Sequence, residues 1–293
     1  KILLRTSPGS AFAYGDLLSI RGELNAASES AAFSYKDYLF HRGISALSQY
    51  ARVELLAQEQ GSPLLAAIYR LRERSLLVAR GIFPEPESAL LRGILLGEAS
   101  GISGDLKRAY ALTGTAHIIA ISGFNMAVLA GLITRLFTRK LGTWRGGALA
   151  ILTLAFYTVL VGGSASVLRA ALMGSLGILG ASINRRGSGL NSLGLVVCLM
   201  LLFNPHLPWD VGFQLSAAAT LGILLFSAPM QARLQRWLEA RVEPDAALRL
   251  SGTAGACPLT TFAAQAFRLP LILYPFQAVS TLFLLANPLV LPA

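Results

Sequence analysis

Residues 117–137 read HIIAISGFNMAVLAGLITRLF, and this stretch decides the fold class. Its one charged side chain is Arg135, close to the end of the stretch. A helix needs about 20 mostly apolar residues to cross the hydrocarbon core of a bilayer. We therefore predict a membrane-spanning helix here, and the sequence that follows supports this prediction.

Further apolar runs continue as far as the last residue. The candidate spans are 147–161, 165–183, 190–203, 212–230 and 251–267. The final run, 269–292, is interrupted by prolines at 270, 275, 288 and 292. Prolines at this density predict a broken or re-entrant segment, which must be buried in protein or line a wet cavity.

The composition is also typical of a membrane protein. Of the 293 residues, 54% are hydrophobic and 14% are charged, whereas soluble proteins carry roughly 25% charged residues. The mean hydropathy is +0.58. The net charge is +10, which indicates either the basic cytoplasmic loops of a membrane protein or an anionic partner such as nucleic acid or lipid headgroups.

The charges of the loops predict the orientation of the spans. Alternate loops are basic, and they contain Arg139, Lys140, Arg145, Arg185, Arg186, Arg233, Arg236, Arg241 and Arg249. The loops 162–164 and 204–210 contain no Lys or Arg. Basic loops are cytoplasmic by the positive-inside rule. The first span therefore runs from outside to inside, and residues 1–116 are predicted to lie outside the cytoplasm.

The part before the first span has a different character. Residues 1–60 are rich in predicted β-structure, and residues 61–116 are predicted to form helices that do not cross the membrane. The helix at 63–80 carries four arginines among leucines, so it either lies at the membrane interface or packs on the preceding region. Two shorter helices are predicted at 88–98 and 103–113. Ser103 is the predicted N-cap of the second.

Arg169 lies about one turn inside the third span, in the segment GGSASVLRAALMG. An arginine at the centre of a bilayer costs about 2.5–3.5 kcal/mol on insertion scales. Either the side chain extends to the nearby interface, which lowers this cost, or it contacts an anion in a wet interior.

Other polar residues interrupt the apolar runs. They include Ser122, Asn125, Ser166, Gln214 and Ser216. Serines in spans commonly pack helices together, but the amides of Asn125 and Gln214 are costly in lipid. His117 lies at a predicted outer boundary, where an interfacial position explains it most simply.

The sequence predicts no enzymatic site. It contains three histidines, and none of them forms an HxH or HExxH pattern. It also lacks a GxxxxGK[ST] phosphate loop and a GxSxG nucleophile elbow. We predict no catalytic residue, no metal ligand and no cofactor.

Four ordered motifs carry a family resemblance. They are LLGEASGISGDLKRAYALTGTAHIIAISGFNMAVLAG at 95–131, SVLRAALM at 166–173, NP followed by DVGFQLS within 204–216, and ANPLVLP at 286–292. Together they resemble the competence domain of ComEC-type DNA uptake channels, which act in natural transformation. The segment YKDYLFHRGI at 35–44 resembles the end of the OB-fold region that precedes this domain, so the resemblance covers nearly the whole chain.

The chain departs from the family pattern at two places. The usual Asp-Arg pair after LLG is here Glu98 and Ala99, so the acid is kept and the base is not. The usual histidine of the ISG motif is Asn125, which keeps hydrogen bonding but not ionisation. Proteins of this family commonly also carry a metallo-β-lactamase-like domain, thought to degrade the strand that is not transported. That domain is not part of this sequence, and we expect the chain to be a segment of a longer protein.

The resemblance implies a mainly α-helical, polytopic membrane domain with a small, partial OB-like β segment outside the cytoplasm. The expected division is an OB-like region at 1–60, interfacial helices at 61–116 and the channel domain at 117–293. The implied function is conduction of single-stranded DNA across the bacterial cytoplasmic (inner) membrane. A DNA receptor and a cytoplasmic helicase or ATPase are the implied partners, besides the DNA and the lipid bilayer.

The candidate residues follow from this reading. The expected DNA path contains His117, Ser122, Asn125, Ser166, Arg169, Gln214 and Ser216. An outer contact to DNA is expected at Lys36, Tyr38 and Arg42, although these residues also fit ordinary packing of a partial barrel. The alternative function is a secondary transporter of a small anion or lipid precursor, which intramembrane polar residues and broken helices also fit.

Overall fold

The computed structural model describes residues 2–5, 12–26, 36, 39–40, 43–49, 51–115, 119, 121, 123–185, 187–241 and 256–276. The strands lie at the start of the chain, and the regular elements that follow them in the described part are helices. The predicted fold class, mainly helical with small sheets at the N-terminus, is therefore confirmed.

The N-terminal β region contains two small sheets. Its strands are β1 Ile2–Arg5, β2 Leu17–Arg21, β3 Ala46–Gln49 and β4 Arg52–Ala57. β1 pairs with β3 in parallel, and β2 pairs with β4 in antiparallel fashion. Such small sheets need a partner to be stable, and the first helix provides one, since the rings of Tyr14 and Tyr69 lie 5.1 Å apart.

Among the described residues, three helices with complete bounds precede the first span. They are α1 Pro63–Ile82, α2 Glu87–Leu96 and α3 Gly104–Leu112. Pro63 suits the first turn of α1, where its missing N–H has no intrahelical partner. The predicted N-cap is confirmed, because the Ser103 hydroxyl accepts from the Leu106 N–H at 3.3 Å. Ile68 and Leu76 of α1 pack against Leu160, so α1 is fixed to the membrane domain.

The first two predicted spans form a helical hairpin, α4 Gly123–Leu160. Gly142 has φ 79° and ψ 172°, values outside the helical region. A Cβ on Gly146 would lie 2.6 Å from the Thr138 Cα, so the chain reverses between these residues. The arms, 123–141 and 143–160, are each about 27 Å long at 1.5 Å per residue, close to the thickness of a hydrocarbon core.

The remaining α-helices of the described residues are α5 Ala165–Ser182, α6 Gly189–Phe203, α7 Val211–Glu239 and α8 Ala256–Phe276, and a short 3-10 helix, Leu207–Trp209, precedes α7. Among the described residues, α4, α5 and α7 are long and apolar enough to cross a membrane, and α6 is a shorter apolar helix. Helix α8 continues past residue 267, the predicted end of its span, through Arg268 and Pro270, and the broken segment predicted at 269–292 stays a prediction. Proline removes one backbone hydrogen bond, but transmembrane helices tolerate this loss where neighbouring groups compensate it. The rest of the predicted broken segment, 277–292, lies outside the described residues.

The two ends of the helices differ in charge. The hairpin turn lies beside the end of α5, since Ser182 Oγ donates to the Thr143 carbonyl oxygen at 3.4 Å. The basic residues Arg139 and Arg185 are therefore at this end. At the opposite end, the loop between α6 and α7 meets the β region, where the rings of Phe40 and His206 pack edge to face at 5.6 Å. This arrangement agrees with the predicted charge map, and the side that faces the cytoplasm stays a prediction.

Helices α7 and α8 approach closely at Gly222. A Cβ on this glycine would lie 2.3 Å from the Ala263 carbonyl oxygen and 3.2 Å from a ring carbon of Phe267. Phe226 packs against the same ring, with centroids 5.5 Å apart. Small residues at such contacts let helix backbones meet in membranes.

The variant Gly222→Ala is expected to lower stability by about 1–3 kcal/mol, because the new methyl meets a backbone atom that cannot rotate away. The melting temperature of the purified protein in detergent measures this effect. Gly194→Ala is the matched control, since no atom lies within 4 Å of a Cβ built there. Equal melting temperatures for the two variants would disprove the close contact.

Candidate functional site

Arg169 of α5 is buried between helices and does not extend to the surface, because its exposed fraction is 4%. Its Nε and NH2 atoms both donate to the Ser216 Oγ of α7, at 3.1 and 2.7 Å. Its NH1 atom lies 3.3 Å from the Met173 Sδ. The guanidinium therefore joins α5 to α7 inside the bundle.

The partners of Arg169 are a hydroxyl and a thioether, so among the described residues no carboxylate neutralises its charge. A Cβ on Gly123, the first residue of α4, would lie 3.4 Å from NH2. A helix N-terminus carries a partial positive charge, so α4 adds to the positive potential here. Burying an ion costs several kcal/mol unless an opposite charge compensates it. The described part of this site therefore holds a positive charge without an acidic partner.

The start of α7 positions Ser216. Asp210 caps this helix, and its Oδ1 accepts from the Phe213 N–H at 2.8 Å. Phe213 is buried in a cluster with Val196 and Met200 of α6. Because residues three apart share a helix face, the packing of Phe213 turns Ser216 towards the bundle interior.

The structure does not bring all the predicted path residues together. Gln214 donates from Nε2 to the Pro208 carbonyl oxygen, so it holds the turn before α7. Ser166 Oγ lies 3.3 Å from Ser164 Oγ at the start of α5. Asn125 is half-buried in the first turn of α4. Arg169 and Ser216 are in direct contact.

Some predicted residues cannot be placed in this way. His117, Ser122, Tyr38 and Arg42 lie outside the described residues. Lys36 is described and exposed. The expected outer DNA contact and the expected roles of His117 and Ser122 stay predictions. Among the described residues, no group of three or more His, Cys, Asp or Glu side chains is placed to hold a metal ion.

The sequence analysis missed a buried ion pair before the first span. Arg92 of α2 is 2% exposed, and its NH2 lies 2.5 Å from the Glu85 Oε1. Its Nε donates to the Ser88 carbonyl oxygen at 3.3 Å. The other Glu85 oxygen accepts from the Ala89 N–H at 3.1 Å, which caps α2. Helical spacing in the sequence does not predict this pair, because Glu85 lies before Pro86 and therefore outside the helix that carries Arg92.

Helix α2 is in turn anchored to the α4 hairpin. Tyr157 donates its hydroxyl to the Leu95 carbonyl oxygen at 2.8 Å, and Arg72 NH2 donates to the Leu96 carbonyl oxygen at 3.2 Å. A Cβ on Gly93 would lie 2.6 Å from the Ile119 carbonyl oxygen. The ion pair thus supports the segment that leads into α4 and to the Arg169 site.

The apolar helices, the hairpin and the buried cation define a polytopic helical membrane protein. Residues 94–293 match the family described as competence protein, and the chain belongs to this family. The resemblance to ComEC-type competence proteins is thereby confirmed.

Curated relatives extend the similarity to the N-terminal region. The chain is 25% identical to ComE operon protein 3 of Bacillus subtilis over 99% of its own length and 35% of the relative. It is 26% identical to Recombination protein 2 of Haemophilus influenzae over 94% of its length and 34% of the relative. An uncharacterized protein of Aquifex aeolicus is 32% identical over 45% of the chain and 31% of the relative. The chain thus spans about a third of the length of these relatives, and no solved structure matches it.

Proposed function

We propose that this chain forms the wall of a membrane channel that passes single-stranded DNA into the cytoplasm during natural transformation. Membership of the competence family over residues 94–293 is the observation that carries this proposal. The buried Arg169 supports it, because a cation without an acidic partner suits an anionic cargo.

The negative charge of DNA restricts which residues can line a channel that passes it through a membrane. About 30 Å of hydrocarbon at 3.4 Å per phosphate would hold roughly nine negative charges, so the strand needs a hydrated path. Many cations would trap it, because conduction requires several weak contacts. A channel lining that has few arginines among hydroxyls, amides and exposed backbone groups meets this requirement.

Uptake of labelled DNA tests the proposal. A strain that lacks the gene should bind labelled double-stranded DNA but fail to accumulate label in the cytosol. The intact wild-type gene should restore that accumulation. Undiminished entry of DNA into the cytosol of the deletion strain would contradict the channel function.

The alternative, a secondary transporter, calls for a different kind of cavity from the one that lies beside α5 and α6. A cavity of about 610 Å³ lies between α5, α6 and the turn before α7, and its lining includes Leu168, Leu172, Phe203, Asn204 and Asp210. Transporter sites usually lie near the middle of the membrane and are formed by broken helices. This cavity instead lies at the ends of the helices and is mainly apolar.

The membrane map has its own test. Reporter tags inserted after Thr143 and Gly189 are expected to be cytoplasmic, and a tag after Asn204 is expected to be outside, because basic loops stay in the cytoplasm. Paired alkaline phosphatase and green fluorescent protein fusions measure the side. Any other pattern would reject the orientation and, with it, the proposed extracytoplasmic position of residues 1–116.

The proposed partners follow from this orientation. Residues 1–116, with Lys36 as one outer contact, would accept the strand from a DNA receptor outside the cytoplasm. A helicase or ATPase would pull the strand from the cytoplasmic ends, where Arg145 and Arg236 add positive charge.

A further inference from the structure

Helix α8 carries a second set of polar side chains that are buried or half-buried, which we call the α8 polar face. It consists of Thr261, Gln265 and Arg268, spaced four and three residues apart. Residues at this spacing lie on one face of a helix. Thr261 is 7% exposed and Gln265 is 8% exposed.

Two atoms of this face lack protein partners. Thr261 Oγ1 and Arg268 Nε are buried, and neither makes a hydrogen bond in the part of the chain that the structure describes. Buried polar atoms without a partner are rare in native proteins, because each costs about 1–3 kcal/mol. Two such atoms on one face indicate that a further group belongs there.

The missing group is not an acidic side chain of the neighbouring helix. Helix α8 contains no Asp or Glu, and α7 contains one acid, Glu239, as its last residue. The close contact with α7 also uses other residues of α8, namely Ala263 and Phe267. At 100° per residue, these lie on a different part of the helix surface from Gln265.

We propose that the α8 polar face is a phosphate-binding subsite. Guanidinium groups bind phosphate oxygens with two parallel hydrogen bonds, and the Thr261 hydroxyl and the Gln265 amide are further donors. The phosphate comes either from the backbone of a translocating DNA strand or from an anionic lipid headgroup. The DNA source rests on the proposed channel function, and the lipid source does not.

The face is suited to a passing strand because it holds one charge. A single cation with two neutral donors binds a phosphate weakly enough to release it. Helix α8 packs against α7, which carries Ser216 and so holds Arg169. Arg169 and Arg268 are thus carried by two helices, α5 and α8, that both pack against α7.

Chemical modification of Thr261→Cys tests this proposal in the intact protein reconstituted in vesicles. Cys198 and Cys257 are first replaced by alanine. A thiosulfonate that bears a sulfonate should react about tenfold faster than one that bears a quaternary ammonium group, because a local cation concentrates anions. Arg268→Gln should abolish this preference, and Arg268→Lys should retain most of it.

Phe262→Cys is the matched control, since Phe262 is the next residue and is 49% exposed. It should react without a preference for the anionic reagent. Equal rates for the two reagents at Thr261→Cys, or no reaction with either, would overturn the subsite.

Two additions identify the source of the phosphate. Protection of Thr261→Cys by single-stranded DNA, in vesicles without anionic lipid, assigns the site to DNA. Protection by phosphatidylglycerol in the vesicles, with no effect of DNA, assigns it to lipid headgroups. The uptake assay with the wild-type gene is independent of these results, so an anion preference without DNA uptake rejects the channel, whereas uptake without an anion preference rejects the subsite.

Discussion

Replacing Arg169 with glutamate is expected to lower the transformation frequency at least about 100-fold while the amount of protein in the membrane stays normal. The change puts a negative charge where DNA phosphates are proposed to pass, and like charges in close contact cost several kcal/mol. A 100-fold loss corresponds to about 2.7 kcal/mol, which is within that range. Transformation with a selectable marker measures the frequency, and an immunoblot of the membrane fraction measures the protein.

The control is the same charge reversal at Arg139, an exposed residue near the hairpin turn. Arg139→Glu should transform within a few-fold of wild type, since it changes the surface charge but no buried contact. Normal transformation by Arg169→Glu would refute a role of this residue in the DNA path.

The variant Ser216→Ala distinguishes two roles for Arg169, namely contact with the DNA strand and a link between helices α5 and α7. Ser216 accepts two hydrogen bonds from Arg169, so its loss frees the guanidinium without removing the charge. If Arg169 serves the strand, Ser216→Ala should retain most transformation. If Arg169 only holds α5 against α7, the serine variant should be as defective as Arg169→Glu.

Hydropathy and loop charge predicted much of the membrane domain. The run at 165–183 became α5, residues 123–137 of the first run lie in the first arm of α4, and the run 147–161 corresponds to the second arm. The lengths of the helices were predicted less well. Helix α7 continues past residue 230 to Glu239, and hydropathy does not detect this last segment because its residues are basic and polar. The course of α8 through Pro270 was missed because a proline rule is local, whereas the surrounding protein decides whether a helix tolerates the lost hydrogen bond.

Prediction from sequence had the same limit at the candidate site. Arg169 was found from sequence because a charge inside an apolar run is unusual in itself. Its partner could not be identified, since Ser216 is one of several serines in the spans and lies 47 residues away. The pairing depends on the packing of α7, which Phe213 sets through its burial against α6. Thr261 was missed for a similar reason, because a threonine in a span usually only packs.

Replacing Glu85 with alanine is expected to lower the melting temperature of the purified protein by about 5–10 °C. The variant leaves the Arg92 guanidinium buried without its counter-ion and removes the acceptor of the Ala89 N–H. Breaking a buried ion pair costs about 3–5 kcal/mol, and we expect about 2–3 kcal/mol because the Glu85 side chain is 54% exposed. For proteins of this size, 1 kcal/mol shifts the melting temperature by about 2–4 °C.

A second acid beside this pair provides the control. Glu87 is exposed in the first turn of α2, where a carboxylate contributes about 0.3–1 kcal/mol through the helix dipole. Glu87→Ala should therefore shift the melting temperature by no more than about 4 °C. Equal shifts for the two variants would show that Glu85 acts only as a surface charge.

The double variant Glu85→Ala, Arg92→Met shows which part of the cost comes from the uncompensated charge. Removing both charges avoids a buried ion without a partner, so the double variant should melt above Glu85→Ala alone. The melting temperature should recover only in part, because the Arg92 guanidinium also fills space. A Cβ on Gly101 would lie 2.7 Å from NH2 of Arg92, so the two residues are closely packed. A double variant that melts below Glu85→Ala would mean that Arg92 stabilises this region mainly by packing. In either case α2 fixes the segment leading into α4, so transformation should fall in the same order as the melting temperature.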